Sequence, residues 1–397
     1  EGRLEAWQAC LADLEALVKS LDKFLSMKRL RFPRFFFVSD ATLLEAYNQG
    51  GGGGAAGLER MQVHLESFFD SIKRLECSAD DGALIEGLRS ADGQTMKLIN
   101  PVKVEGMVDD WLCVLLNEMR STVNRIISHA AADVHAIGTV EFIHKYPAQV
   151  SVIGIQMKWT ADSEEALRRA KTERDAMGET SMKHQQLLTD LATVNLRPDD
   201  ELHTHGKWTR QKVETMILIM SRQRDVFADL AERGVHDPES FEWQKQMRFY
   251  WLQDQDSAQV SIADVDFQYA NEYLGVKGRM VITPRTDHCC VVFSQALSMC
   301  LGGAAAGGAG TGKTETIKDM FVDCARTCDL CSRTCAPPTP APSHVLIVTC
   351  QSQGCDARQV CTGDQLQRSD GRPLAQRHLQ GRGGGGPLVN LRRSQPH

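Results

Sequence analysis

The clearest chemistry in the sequence lies in the run Gly307-Gly308-Ala309-Gly310-Thr311-Gly312-Lys313-Thr314. It fits the phosphate-binding spacing Gly-x-x-x-x-Gly-Lys-Thr, which turns up by chance in about one chain in a hundred of this length. Glycines let the backbone curl so that successive N–H groups face one phosphate. Lys313 would reach the β- and γ-phosphates, and the Thr314 hydroxyl would hold Mg²⁺. A helix beginning near Glu315 would aim its positive end at the anion. Hydrolysis asks for more: an acidic residue after a second apolar strand and a cation on the transferring phosphoryl group. The strand candidate Val345-Leu346-Ile347-Val348 runs instead into Thr349-Cys350-Gln351. The sequence supplies a nucleotide cradle and assigns no residue a catalytic role.

Other candidates are weaker. Gly50 to Gly54 form a glycine run with no Lys-Ser/Thr behind it, which reads as a surface insertion. His203 and His205 stand as an isolated pair in a Thr-rich turn. Cys324, Cys328, Cys331 and Cys335 offer four thiolates at short spacing, enough for tetrahedral zinc. Cys324 falls where the helix after the phosphate loop should still be running, and Pro337-Pro338 follows the last cysteine. The zinc reading therefore ranks below the others.

The elements that must position this chemistry come from 397 residues, 42% apolar and 24% charged. That composition excludes a wholly disordered chain, a collagen or a small disulfide scaffold. The net charge of −6 gives no electrostatic case for nucleic acid or an anionic membrane. No apolar run is long enough to span a bilayer and the first residues are not a signal peptide, so a cytosolic setting is expected. Seven of the 13 cysteines lie between 324 and 361. From 321 to 397 there is no Lys, Glu, Met, Tyr or Trp, while seven of the 13 prolines fall there. Such a stretch has little apolar surface with which to offset ordering entropy, and a disordered tail is expected. Its composition looks more like read-through of non-coding sequence or a mis-joined exon than like a zinc module.

Upstream, the pattern is mostly helical. Trp7, Leu11, Leu14, Val18, Leu21 and Leu25 share one face of a helix over 4–30. Arg31 to Val38 read as a proline break followed by an aromatic, strand-like run. Ser39-Asp40 would cap a helix over 41–48. Helices are expected over 58–75 and 105–130, with a turn-and-strand module from Asp80 to Val104 between them. A polar helix is expected over 161–192, and another over 207–233 with Val213, Met216, Ile217, Met220, Phe227 and Leu230 on one side. Asp237-Pro238-Glu239 would open a further helix carrying Trp243, Met247, Tyr250 and Trp251.

Against this background Glu272-Tyr273-Leu274-Gly275, Val281-Ile282-Thr283-Pro284-Arg285-Thr286-Asp287, Leu301-Gly302-Gly303-Ala304 and Gly310 to Thr316 with Lys318-Asp319 resemble the entry to the first AAA+ module of a dynein heavy chain. The preceding residues resemble the dynein linker. They include Lys28 to Phe37, Trp111-Leu112, Leu116 to Arg120, Tyr146-Pro147-Ala148-Gln149-Val150, Gln223 to Val226 and Gln246 to Trp251. The resemblance covers roughly 1–320, in order, and is nearer an axonemal than a cytoplasmic chain.

It implies a mainly α fold: an elongated helical linker (1–252) with small β elements, then the start of an α/β P-loop AAA+ module (253–320), then the divergent tail (321–397). It implies ATP and Mg²⁺ as cofactors, with Gly307, Gly308, Ala309, Gly310, Thr311, Gly312, Lys313, Thr314 and Glu315 at the phosphates. Val281, Ile282, Thr283 and Pro284 would line the adenine pocket. The implied activity is that of a minus-end-directed microtubule motor, with the first module as hydrolytic site and the linker as lever. The implied partners are microtubules and the intermediate, light intermediate and light chains, in the cytoplasm, the cytoskeleton and the axoneme of cilia and flagella. Two departures stand out. Ala305-Ala306-Gly307-Gly308 replaces the usual Pro-Glu-Gly-Pro and should loosen the approach to the loop. Arg285 replaces a usual leucine. The alternative is a non-hydrolysing scaffold that at most binds nucleotide or dynein subunits.

Overall fold

The computed structural model describes residues 2–50, 54–69, 71–79, 82–173, 175–195, 207–299, 303–306, 311–324, 346–352, 355–361 and 389–391. These divide into two compact units, the first drawn from 1–89 and 97–118 and the second from 90–96 and 119–328 with the described tail residues.

The first unit opens with α1 (Gly2–Arg31), as the heptad-like spacing predicts. Its apolar face is not covered by the described residues: Trp7 is 74% exposed and Leu11 59%, and only from Leu25 is the stripe buried. The strand expected over 31–38 is instead a 3₁₀ turn, Pro33–Phe37. Three residues per turn bring Phe32 and Phe35 to the same side, where both are fully buried with ring centroids 4.8 Å apart. A strand would have sent them to opposite faces. Helix α2 (Asp40–Gly50) follows, with the Ser39 hydroxyl accepting the Thr42 N–H. Next come α3 (Gly54–Met61) and α4 (Leu65–Phe68). The helix expected to reach 75 ends there, because 72–75 belong to a strand. β1 (Ile72–Cys77), β2 (Leu84–Ser90) and β3 (Thr95–Lys103) form a three-stranded sheet in that order. The Asp92-Gly93 turn holds the left-handed conformation at Gly93 that glycine supplies. Helix α5 (Val108–Asp133) begins in this unit. Its Asp109 is fully buried and accepts bonds from Lys28 at 2.9 Å and the Tyr47 hydroxyl at 2.9 Å. Burial pushes its carboxyl pKa up, but these two bonds, a backbone hydrogen bond and the Lys28 charge together bring the net direction down.

The second unit continues with α6 (Thr139–Lys145), α7 (Ala148–Arg169), α8 (Ala176–Asn195) and α9 (Lys207–Glu232). The polar helix expected over 161–192 is thus two helices broken near 170–175. On α9 most of the predicted apolar side is inside: Val213, Met216, Met220, Phe227 and Leu230 are buried and Ile217 is half-buried. The helix expected after Pro238 is only one turn, α10 (Phe241–Gln244). Tyr250 and Trp251 lie on β4 (Arg248–Leu252), which pairs antiparallel with β5 (Ser257–Ile262), and β5 with β6 (Val265–Gln268). Helix α7 holds this sheet: Thr160 Oγ1 accepts the Phe249 N–H at 3.1 Å and Glu164 accepts the Tyr250 hydroxyl at 2.6 Å. Beyond an irregular stretch lie α11 (Pro284–Ser298), β7 (Gly303–Ala306) and α12 (Lys313–Cys324). In the tail, β8 (Leu346–Ser352), β9 (Cys355–Cys361) and β10 (Val389–Leu391) complete a sheet ordered β10-β7-β8-β9. No described helix is long and apolar enough to cross a membrane.

His184 sits in the core of this unit, 2% exposed, its ring 4.9 Å from Phe227 and 6.4 Å from Trp159. Neither ring nitrogen has a hydrogen-bond partner among the described residues. Burial, assisted by Lys183, pulls its pKa down to about 4. The folded state therefore keeps His184 neutral, while the unfolded chain takes up a proton near pH 6.5. The stabilising contribution is complete above pH 6.5 and is lost as pH falls toward 4. Lowering pH from 7 to 5 should remove about 2 kcal/mol through this group. In urea unfolding followed by tryptophan fluorescence, His184→Leu should flatten that slope; an unchanged slope would refute the assignment.

Candidate functional site

The phosphate-loop motif falls at a strand-to-helix junction. β7 forms despite its run of small residues, because a central strand has both edges satisfied: Gly303 pairs in parallel with Val389 on one side and Val348 on the other. Ala305 and Ala306 are laddered to Cys350 and Gln351, while Gly307 and Gly308, where the approach was expected to loosen, lie outside the described residues. Small side chains also let the covering helices approach. Phe293 of α11 and Met320 of α12 are buried together, with Cys289, Cys290, Ala305 and Ile317 packed against them. Burial pushes the Cys290 thiol up to about 12, as for a packing cysteine rather than a reactive one.

Gly307, Gly308, Ala309 and Gly310 lie outside the described residues, as do His203, His205, Cys328, Cys331 and Cys335. Among the described residues no His, Cys, Asp or Glu grouping could hold a metal. Thr311 and Gly312 are exposed, and Gly312 takes φ +72°, the left-handed region that glycine enters without strain. Lys313 opens α12, its ammonium donating to Thr311 Oγ1 at 3.2 Å. Gly312 O accepts both the Thr316 N–H and its hydroxyl, each at 2.9 Å. Thr314 lies in the first turn, though its side chain is outside the described set, and Glu315 is exposed beside it. A solvent-facing helix N-terminus behind a left-handed glycine, with a lysine at its first position, is an arrangement that accepts a polyphosphate. The residues present fit the phosphate end of a nucleotide.

The proposed base-side residues come from an irregular segment, 269–283, whose backbone groups find side-chain or strand partners one after another. Tyr269 N–H donates to Ala258 O at 2.9 Å. The Gln149 amide donates to Glu272 O and to the Tyr269 hydroxyl, each at 2.6 Å, and accepts Leu274 N–H at 2.8 Å. Gln211 donates to Val276 O at 3.2 Å, and Asp319 of α12 makes an ion pair with Arg279 at 3.4 Å. Gly275, at φ +63°, passes so close to Ser90 that an added Cβ would lie 2.8 Å from it. Of the four base-side candidates, Val281 is 67% exposed, Ile282 is half-buried, and Thr283 and Pro284 start α11. Thr283 and Thr286 cap that helix reciprocally: the Thr283 N–H reaches Thr286 Oγ1 at 2.8 Å, and the Thr286 N–H reaches Thr283 Oγ1 at 3.4 Å. Arg285 is exposed, so its exchange for a leucine disturbs no packing here.

An open cleft adjoins Ile282 and is walled by Leu218, Met247, Met280, Thr316 and Met320. Across it, Arg222 of α9 makes an ion pair with Asp287 of α11. Arg222, Arg279, Asp287, Asp319 and Gln149 received no role from the motif reading. Gln149, Asp287 and Asp319 fall within runs that carry the family resemblance, and Gln149 is also a polar side chain between Ala148 and Val150 in the buried stretch of α7.

The strand and the lysine-headed helix that flank the motif have the order of a P-loop module, preceded by a helical scaffold. Comparison with known proteins gives the family. Residues 1–130 match the model for dynein heavy chain, N-terminal region 2, and residues 269–336 match the model for the hydrolytic ATP binding site of the dynein motor region. The chain is 45% identical over 312 residues to dynein axonemal heavy chain 5 of Mus musculus, covering 78% of this chain and 6% of that protein. It is 45% identical over 309 residues to dynein axonemal heavy chain 8 of Homo sapiens, covering 77% and 7%. To the dynein gamma chain of the flagellar outer arm of Chlamydomonas reinhardtii it is 40% identical over 308 residues, again 77% and 7%. The chain belongs to the dynein heavy-chain family and spans less than a tenth of the length of these relatives.

Gln149→Leu should withdraw three hydrogen bonds from the 269–274 backbone and its tyrosine, destabilising the second unit by about 2–3 kcal/mol. Amide exchange in 269–276 should accelerate. Unchanged exchange there would show that the segment is held by other means.

Proposed function

We propose that this chain is the ATP-binding entry of a dynein motor, in which nucleotide state at the first module is passed to the linker. Residues 1–252 are read as linker, 253–320 as the edge of the first AAA+ module and 321–397 as a divergent tail. The reading is carried by one observation: the match to the dynein hydrolytic ATP site falls on a strand, left-handed glycine and lysine-headed helix. Residues 307–315 would hold the phosphates through backbone N–H groups and the Lys313 ammonium. Val281, Ile282, Thr283 and Pro284 would hold the base by apolar contact and backbone groups. Mg²⁺, held through the Thr314 hydroxyl, would neutralise phosphate charge.

The linker side of this reading rests on Arg222 and Gln149. Arg222 ties α9 to the first turn of α11, one helix start away from the base-side residues. Gln149 ties α7 to the segment that leads into them. A shift of 280–287 on nucleotide binding would load both ties. In a complete heavy chain the outcome would be minus-end-directed sliding on microtubules within a cilium or flagellum, alongside intermediate, light intermediate and light chains.

A second reading is favoured by β8, the parallel neighbour of β7, whose residues Leu346–Ser352 include no carboxylate. In it the chain binds nucleotide without hydrolysing it. Calorimetric titration of the purified chain with MgATP tests both. Lys313→Ala should weaken binding about thirtyfold, equivalent to about 2 kcal/mol for a charge-assisted contact. Unchanged affinity would overturn the nucleotide site. ATP turnover by this chain, abolished by Lys313→Ala, would reject the non-hydrolysing reading.

A further inference from the structure

The base-side segment and the phosphate-side helix are joined through one carboxylate. Asp319 lies six residues beyond Lys313 on α12, roughly 9 Å along the helix axis. Its side chain is 13% exposed and stands 3.4 Å from the Arg279 guanidinium, itself 7% exposed. Arg279 stands two residues before Val281, so a side chain of α12 is paired with the residue that leads into the base-side run. Burial disfavours the charged carboxylate, and the Arg279 charge opposes that penalty; the net direction of its pKa is upward. An ion pair largely shielded from water is screened less, and holds its partners more firmly, than an exposed one. Arg279 and Asp319 also line the cleft beside Ile282 and Thr316, the two sides that the clasp spans.

We infer that Asp319 is a positioning residue that sets the register of the base-side segment 281–284 against the phosphate loop, and so decides how much of the affinity for ATP is drawn from the adenosine moiety. The inference rests on the nucleotide-binding reading above. Asp319 acts on this segment through Arg279. Loss of the clasp leaves Gly312 and Lys313 where they are but frees Val281 and Ile282 from a fixed distance to them. Recognition of the base then weakens while recognition of a bare polyphosphate does not.

The test compares two probes on the purified 397-residue chain, MgATP and magnesium tripolyphosphate, by titration calorimetry. Asp319→Ala should weaken MgATP about tenfold and leave tripolyphosphate within twofold. Asp319→Asn, which preserves volume and one acceptor, should weaken MgATP about threefold with the same selectivity, and it keeps the test decisive should the alanine variant fail to fold. Arg279→Met should follow Asp319→Asn. An equal loss of both probes, or no loss of either, overturns the positioning role. Lys313→Ala serves as the reference: it should weaken both probes alike. If the unaltered chain binds neither probe, or Lys313→Ala changes neither, the nucleotide reading itself fails and takes the clasp with it.

Discussion

A long irregular segment inside a packed unit must have its backbone N–H and C=O groups satisfied by something other than a helix or a ladder. Segment 269–283 meets that constraint through side chains of neighbouring elements, and the rest of the second unit is arranged around doing so. Gln149 of α7 and Gln211 of α9 serve its first half. The Arg279–Asp319 ion pair and the Thr283–Thr286 cap serve its second. An unsatisfied buried peptide group costs about 1–3 kcal/mol, so each of these side chains fixes both stability and the path of the chain.

That path runs between helices. Its first half is held by α7 and α9, and its second half lies beside the helix that begins at Lys313. Under the proposed function, a displacement of either end would be absorbed by contacts that are directional and few. Gln149 is buried in α7, while Val281, Thr283 and Pro284 are exposed. The Arg222–Asp287 pair adds a charged tie from α9 to the first turn of α11, where an acidic residue also suits the helix dipole.

Much of the scaffold was legible in the residues. The buried side of α9 follows from the three-and-four spacing of Val213 through Leu230, and the hairpin at Asp92-Gly93 from a turn dipeptide with one outcome. The start of α12 follows from the motif itself. What misled was tertiary context. Phe32 and Phe35 look like strand residues by type but are three apart, and the buried aromatic cluster with Phe68 and Phe69 rewards that spacing in a 3₁₀ turn. Tyr250 and Trp251 follow a helix-opening signal, yet the partners available to them are α7 and β5, which select a strand. The face of α1 from Trp7 to Leu21 has the right period, yet among the described residues it stays exposed. At the site, the phosphate residues announce themselves through glycine and lysine. The polar residues that hold the base side do not, because a glutamine, an arginine and an aspartate at unremarkable spacing acquire meaning only once the fold brings them to one strand of backbone.

Hydrogen exchange on the purified chain with and without MgATP tests the central claim directly. The account predicts joint protection of amides in 311–316 and 280–287, accompanied by a change in 218–226 where α9 meets α11 through Arg222. Protection confined to 311–316 would leave a phosphate site with no coupling to the scaffold. No change at either place would contradict the account.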